Sequence, residues 1–146
     1  MRIALSTDLR TPLIDALQAE VTRHGHTVVY VGPKAEGGEA DWPDVTAQAV
    51  RLVAKGEADE AIVCCWTGTG ASIAANKHRG IRAALCTDAE TARGARVWND
   101  ANVLALSLRL TTEALAKEIL TAWFTAQPGS DDWNRAQRAK IDALDR

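Results

Sequence analysis

The 146-residue chain lacks several features that mark large classes of proteins. It has no apolar run approaching the roughly 20 residues of a membrane-spanning helix. Lys and Arg number 17 against 19 Asp and Glu, a formal net charge of −2, so the basic excess of nucleic-acid-binding domains is missing. Three cysteines, two of them adjacent, form neither a disulfide framework nor a zinc-site pattern. We therefore expect no membrane, nucleic-acid or metal partner.

The start of the chain, MRIALSTDLR, has too short an apolar stretch for a secretory signal and soon reaches charged residues. We accordingly expect a cytoplasmic location. An apolar content of 47% and a charged content of 25% are ordinary for a globular protein, and the length suits one domain with a sizeable core. The sequence therefore predicts a single domain spanning residues 1–146.

Short apolar runs alternate with segments of helical periodicity along the chain. The runs at 1–6, 27–31, 60–65, 82–86 and 102–107 predict strands, and the segments 12–24, 43–53, 71–78, 87 onward and 113–124 predict helices. This alternation predicts an α/β fold in which a parallel sheet is covered by helices on both faces. Beyond the break at 128–129, we expect a C-terminal helical tail over about 130–146.

The segment from Cys65 to Asn76, CWTGTGASIAAN, is the strongest candidate for a functional site. A buried strand ends there, a glycine-rich turn follows and a helix begins, so backbone N–H groups gather a partial positive charge that suits an anion. Hydroxyls surround the turn at Thr67, Thr69 and Ser72. Because a helix N-terminus favours a thiolate, Cys65 is a candidate base or nucleophile; the alternative is a small buried hydrophobe.

Two other sequence patterns have both a functional and an ordinary structural interpretation. Gly68 and Gly70 begin a dinucleotide-binding pattern, but Ile73 occupies the position that needs a third small residue, so we expect no nucleotide cofactor and none of another kind. Arg135 and Arg138 lie three residues apart on the predicted terminal helix. They form either a solvated face or a phosphate clamp.

Several separated motifs agree with one family in order and spacing. They are CWTGTGASIAANK at 65–77, GIRAALC at 80–86, Ala-Arg at 92–93 and NDANVLAL at 99–106. From residue 1 to about 124 the chain resembles ribose-5-phosphate isomerase B, a family that includes the galactose-6-phosphate isomerase subunits. The resemblance implies a Rossmann-like domain with a five-stranded parallel sheet. It also implies a homodimer or homotetramer with sites shared between subunits, and a metal-free aldose–ketose isomerisation of a sugar phosphate through a cis-enediolate.

The resemblance also implies roles for individual residues. Cys65 matches the base that moves a proton between C1 and C2, and Thr67 matches a residue at the reacting end of the sugar. The backbone of 68–72, which includes Gly68, Thr69, Gly70 and Ser72, matches the anion hole that holds the enediolate. Asp8 and Asn99 match residues that contact the substrate.

Departures from the family pattern point to a different substrate. Leu9 stands where a phosphate-binding histidine is usual, and Arg10 could replace it only one residue out of register. Trp98 stands where the family has the histidine credited with ring opening, and Trp66 replaces a glycine beside the base. Because tryptophan cannot shuttle a proton, we expect a substrate other than ribose 5-phosphate in its ring form, such as a four-carbon sugar phosphate.

Two alternatives remain open at this point. The protein could be a relative that binds a phosphorylated metabolite without chemistry, with Cys65 vestigial. It could also isomerise or epimerise a sugar-like compound without phosphate. Arg135 and Arg138, spaced by three where the family usually has four, would then matter little.

Overall fold

The computed structural model describes residues 1–145, which form one parallel sheet flanked by helices. The strands are β1 (Arg2–Thr7), β2 (Thr27–Val31), β3 (Glu60–Cys65), β4 (Ala83–Leu85) and β5 (Val103–Ser107). The helices are α1 (Pro12–Arg23), α2 (Trp42–Ala54), α3 (Thr69–Ala75), α4 (Ala89–Asn99), α5 (Glu113–Thr125) and α6 (Asp132–Asp142). All strands are parallel, in the order β2-β1-β3-β5-β4. The predicted α/β fold is confirmed.

Strand side chains alternate between two apolar layers. One layer packs large side chains, Leu5, Leu104 and Trp123 among them, against α1, α4 and α5. The other layer lies between the sheet and α2 and α3 and is rich in alanine, as at Ala4 and Ala105. Because interiors are close-packed, these small side chains let α2 and α3 approach the sheet.

Some element boundaries differ from the sequence prediction. Helix α3 was expected over 71–78 but spans Thr69–Ala75. It ends early because the Asn76 side chain turns to β4: its Nδ2 donates to the carbonyl of Ala83, and its Oδ1 accepts from the N–H of Ala83, both at 2.9 Å. The predicted C-terminal tail corresponds to α6, and residue 146 lies outside the described residues. None of the described helices combines the length and apolar character that crossing a bilayer requires.

A buried ionic cluster joins three elements at the amino end of β3. Glu60 is only 6% exposed, and its Oε1 lies 2.8 Å from Nη2 of Arg96. Trp123 Nε1 donates to Glu60 Oε2 at 2.7 Å, and the Arg96 guanidinium lies 5.1 Å from the centroid of the Trp123 ring. Burial raises the pKa of Glu60, and the positive charge of Arg96 opposes that shift. The cluster ties β3 to α4 and α5.

Replacing Arg96 with Leu should destabilise the protein by about 3 kcal/mol at pH 7, because a buried carboxylate loses its cation. The raised pKa of Glu60 means that the folded state favours its protonated form. The stability defect should therefore be smallest below the ordinary pKa of glutamate, and it should grow as the pH rises through the raised folded-state pKa. Urea unfolding across this pH range measures the effect.

The matched control is the double variant Arg96→Leu/Glu60→Gln. It keeps an acceptor for Trp123 but removes the buried charge, so it should recover most of the lost stability at pH 7. An equal defect in the single and double variants would show that lost packing, rather than an unpaired charge, is responsible.

Candidate active site

A cavity of about 310 Å³ opens at the carboxyl ends of β1 and β3. These strands are neighbours in the sheet, but the chain visits β2 on the far side of β1 between them. Such a reversal of strand order is where open α/β sheets bind their ligands. The cavity is lined by Asp8, Trp42, Cys65, Trp66, Thr67, Thr69 and Gly70.

The two adjacent cysteines of β3 face opposite layers of the core. Cys64 packs with the large side chains, and its burial raises the pKa of the thiol far above the ordinary value, with added repulsion from Cys65 and Asp8. Burial likewise raises the pKa of Cys86 to about 12. Cys65 ends the strand on the other face and is 5% exposed. It is the cysteine whose side chain lines the cavity.

The turn after Cys65 requires glycine at Gly68. Its φ is +74°, and a Cβ there would lie 2.6 Å from Leu85 Cδ1 and 2.9 Å from the carbonyl carbon of Leu106. The turn is also held from the segment after β5, where Leu108 N–H donates to the carbonyl of Cys65 at 3.0 Å. The backbone beside the thiol is therefore fixed in one conformation.

Backbone hydrogen-bond donors without partners lie where this turn enters α3. The N–H groups of Thr69, Gly70 and Ala71 have no intrahelical acceptor and no other carbonyl partner within residues 1–145. By contrast, the N–H of Ser72 already donates to the carbonyl of Gly68 at 3.0 Å. Within the predicted anion hole over 68–72, Thr69 and Gly70 therefore carry the unpaired N–H groups on residues that are not fully buried, since Ala71 is 0% exposed. Ser72 itself is half-buried and does not line the cavity.

Two hydroxyls stand at the mouth of the turn. The Oγ1 atoms of Thr67 and Thr69 are 2.7 Å apart, within hydrogen-bonding distance, and both residues line the cavity. Either hydroxyl can be the donor, so this pair can shift its hydrogen to suit a bound oxygen.

Asp8 follows β1 directly and lies beside Cys65 at the ends of the two neighbouring strands. Its Oδ1 is buried and has no hydrogen-bond partner among the described residues. Burial raises the pKa of the carboxyl, and the charge of Glu39 adds to the rise, while the backbone N–H groups of Asp8 and Leu9 oppose it. An unpaired, partly desolvated carboxylate at a cavity wall is a strong acceptor for a ligand hydroxyl.

Trp42 is a cavity residue that the sequence analysis missed. It begins α2, and a Cβ at Gly70 would lie 3.1 Å from its ring, so glycine there makes room for the indole. Its signal in the sequence was an aromatic residue at the start of the helix after β2, at the carboxyl edge of the sheet. Trp66 lines the same cavity with 57% of its surface exposed. The cavity is therefore lined by two indole side chains, those of Trp42 and Trp66.

Trp98 and Asn99 are not brought to Cys65 within one chain. They lie in the last turn of α4, which leads directly to the amino end of β5. Since Cys65 pairs with Ser107 at the carboxyl end of β5, the length of that strand, roughly 15 Å, separates the two groups. Trp98 and Asn99 line other cavities, one of them shared with α6.

The arginines of α6 lie on the same side as Trp98. Arg135 forms an ion pair with Asp132, and Nη2 of Arg138 donates to the carbonyl of Gly129 at 2.8 Å. Helix α6 packs against α4. The predicted phosphate clamp is therefore at the amino edge of the sheet, remote from the cavity of the same chain.

The other candidate cation, Arg10, also has local partners. Its guanidinium forms an ion pair with Asp15 and lies 4.8 Å from the centroid of the Tyr30 ring. It does not line the cavity, and no Lys, Arg or His among residues 1–145 does so. Nor do those residues hold a group of three or more His, Cys, Asp or Glu side chains suited to a metal ion.

The amino-acid sequence is similar to those of known sugar isomerases. The family described as Ribose/Galactose Isomerase matches residues 3–142. Ribose-5-phosphate isomerase B of Escherichia coli is 47% identical over 87 residues, 60% of this chain and 58% of that protein. D-erythrulose-4-phosphate isomerase of Pectobacterium atrosepticum is 38% identical over 120 residues, 82% of this chain and 76% of that protein.

Solved structures show the same similarity over nearly the full length. The type B ribose 5-phosphate isomerase of Trypanosoma brucei superposes with a TM-score of 0.91 at 39% identity, covering 97% of each chain. With its fold, its cysteine-bearing turn and a family match over 3–142, the chain belongs to the ribose/galactose isomerase family.

Proposed function

We propose that the protein is an aldose–ketose isomerase that acts on a small sugar phosphate through a cis-enediolate. The observation that carries the proposal is the position of the Cys65 thiol. It lies at the carboxyl end of β3, in a cavity whose wall is a fixed turn with free backbone N–H groups. Membership of a family of sugar isomerases supports the same reaction class.

The chemistry requires a base and a set of donors. Abstracting a proton beside a carbonyl needs a base within reach of the carbon and donors aimed at the oxygen where charge develops. Cys65, as thiolate, takes the proton from one carbon and returns it to its neighbour. The amides of Thr69 and Gly70 stabilise the enediolate oxygens, and the Thr67 hydroxyl moves a proton between them. Ser72 supports the turn from within α3.

The rest of the cavity suits a short polyol. Asp8 accepts hydrogen bonds from sugar hydroxyls through its unpaired Oδ1. Trp42 and Trp66 offer flat faces on either side, and the cavity volume of about 310 Å³ lies at the low end for ligand pockets. A substrate with few carbons fits these walls best.

Within this reaction class, we propose a four-carbon substrate. Trp98 carries no titratable group, so a ring-closed sugar would find no proton shuttle at that position. A four-carbon aldose or ketose phosphorylated on its last carbon cannot close a furanose ring and needs none. The relative named D-erythrulose-4-phosphate isomerase supports this choice, while the relative named ribose-5-phosphate isomerase B supports the competing five-carbon one.

A homodimer would complete the site. The cavity has no lining cation among residues 1–145, whereas Arg135, Arg138, Trp98 and Asn99 gather at the opposite edge of the sheet. A second copy can present that edge to the first copy's cavity and supply the charge that a phosphate needs. The exposed side chain of Ile73, on the surface of α3, would gain cover in such a contact. Because a sugar phosphate does not cross membranes freely, we place the reaction in the cytoplasm.

A second candidate is isomerisation or epimerisation of a sugar-like compound without phosphate. The absence of a lining cation in the described chain favours it, since a phosphate would otherwise meet only neutral donors and Asp8. Substitution of Arg138 distinguishes a phosphorylated substrate from one without phosphate. It should sharply weaken binding of a phosphorylated substrate and leave an uncharged one unaffected.

Cys65→Ala should lower kcat at least about 100-fold, because general-base catalysis typically contributes that much or more. Cys64→Ala is the matched control, since its thiol is one residue away in the opposite core layer, and it should keep kcat near that of the wild type. The measurement is exchange of solvent deuterium into the carbon beside the carbonyl, followed by NMR. Binding of a sugar phosphate without exchange by the wild type would identify a non-catalytic relative instead.

Turnover of a panel of sugar phosphates tests the chain length of the substrate. We expect kcat/KM to be highest for erythrulose 4-phosphate or erythrose 4-phosphate, and Trp98→His to raise the value for ribose 5-phosphate because it restores a titratable group. Trp98→Phe is the control, since it changes size without adding a proton carrier. Wild-type preference for ribose 5-phosphate would refute the four-carbon assignment.

Mixing two inactive variants tests the shared site. Cys65→Ala and Asn99→Ala homodimers should each be nearly inactive, but random exchange of subunits should recover about a quarter of wild-type activity, because half of the dimers then hold one intact site. Activity is measured before and after denaturation and joint refolding. No recovery in verified heterodimers would mean that Cys65 and Asn99 do not serve one site.

A further inference from the structure

Two hydroxyl groups are buried without partners beneath the cavity. Ser6 in β1 and Thr46 in α2 are both 0% exposed, and neither hydroxyl oxygen has a hydrogen-bond partner among residues 1–145. Buried polar groups are nearly always paired, and an unpaired one costs about 1–3 kcal/mol. Their layer is otherwise apolar, as at Ala4, Ala49 and Val50. Because these two hydroxyls are costly to bury unpaired, their presence in an apolar layer needs a physical explanation.

Their spacing along the chain puts both residues one step inward from residues that line the cavity. Ser6 precedes Asp8 by two residues on β1, so both side chains face α2. Thr46 follows Trp42 by four residues on α2, so it lies one turn deeper on a similar side of the helix. Asp8 and Trp42 both line the cavity. Two residues along β1 and four residues along α2 each span about 6 Å. Ser6 and Thr46 therefore lie at similar distances below the cavity-lining residues Asp8 and Trp42.

A third unpaired atom belongs to Asp8, two residues beyond Ser6 along the chain. Asp8 Oδ1 is buried and has no partner among the described residues. The three oxygen atoms comprise two donors and an acceptor, and about three such partners are what a buried water needs. Resting on the proposed function, we propose that Ser6 and Thr46 are positioning residues that hold the Asp8 carboxylate toward the substrate through a shared buried water.

The charged surroundings of Asp8 come from few groups. Strand β3 contributes Cys65, the loop before α2 contributes Glu39, and the first turn of α2 carries the exposed Asp44. Helix α3 has no charged side chain. No cation from these elements fixes the carboxylate, and its Oδ1 is unpaired despite the nearby N–H groups of Asp8 and Leu9, so neutral donors from below can orient that oxygen.

Carboxyl ¹³C NMR of Asp8, assigned with Asp8→Asn, tests the proposal without any substrate. The double variant Ser6→Ala/Thr46→Val should raise the pKa of Asp8, because the ionised carboxylate loses donors. Thr46→Ser should keep the wild-type titration, since it retains the hydroxyl. Val45→Ala is the packing control on the same helix and should also leave the titration unchanged.

Kinetics and stability give independent readouts. The double variant should raise KM for the best sugar phosphate about 3- to 10-fold with kcat nearly unchanged, the fold-change that one lost hydrogen bond gives. Its urea midpoint should stay near that of the wild type, because the variant removes both hydroxyls together and replaces them with apolar groups of similar shape.

The outcomes separate the two proposals. An unchanged Asp8 titration in the double variant would overturn the positioning role. If the wild type turns over no sugar phosphate, the proposed function fails, and the Asp8 titration still decides whether Ser6 and Thr46 act on that carboxylate.

Discussion

The parallel pairing of β1 with β3 is the contact on which the candidate site depends. Its register sets Thr7 against Cys64, so the next residues, Asp8 and Cys65, end side by side at the carboxyl edge. A slip of one residue would exchange the faces of the two cysteines. It would bury the Cys65 thiol among the large side chains and turn the inert Cys64 toward the cavity. The apolar layers on both faces, which such a slip would mismatch, hold the register.

The two edges of the sheet differ in how a buried carboxylate is held. At the amino edge, the buried charge of Glu60 is met by Arg96 and the Trp123 indole, so its polar atoms are satisfied. At the carboxyl edge, Asp8 and the amides at the start of α3 are left without partners in the described chain. Unpaired atoms also occur toward the amino edge, at Arg96 Nε and Arg138 Nη1, so the contrast concerns the two carboxylates and not every polar group.

Much of the fold could be predicted from the sequence, because strand periodicity and turn residues act locally. The apolar run ending at Cys65 and the glycines after it placed both the strand and the turn correctly. Partners distant in sequence could not be predicted. Nothing in the sequence shows that Trp42 packs on Gly70, or that the guanidinium of Arg10 lies by Tyr30. Such contacts depend on how α2 and the loops settle on the sheet.

The direction of α4 has the widest consequence for the site. It carries the chain from the carboxyl edge back to the amino edge, so Trp98 and Asn99 lie away from the Cys65 cavity of their own chain. In the proposed dimer, one chain would supply the base and the enediolate donors, and its partner would supply the groups that meet the rest of the substrate. Replacing histidine by tryptophan at Trp98 would then alter the choice of sugar while the proton-transfer apparatus, held by β1, β3 and the glycine turn, stays unchanged.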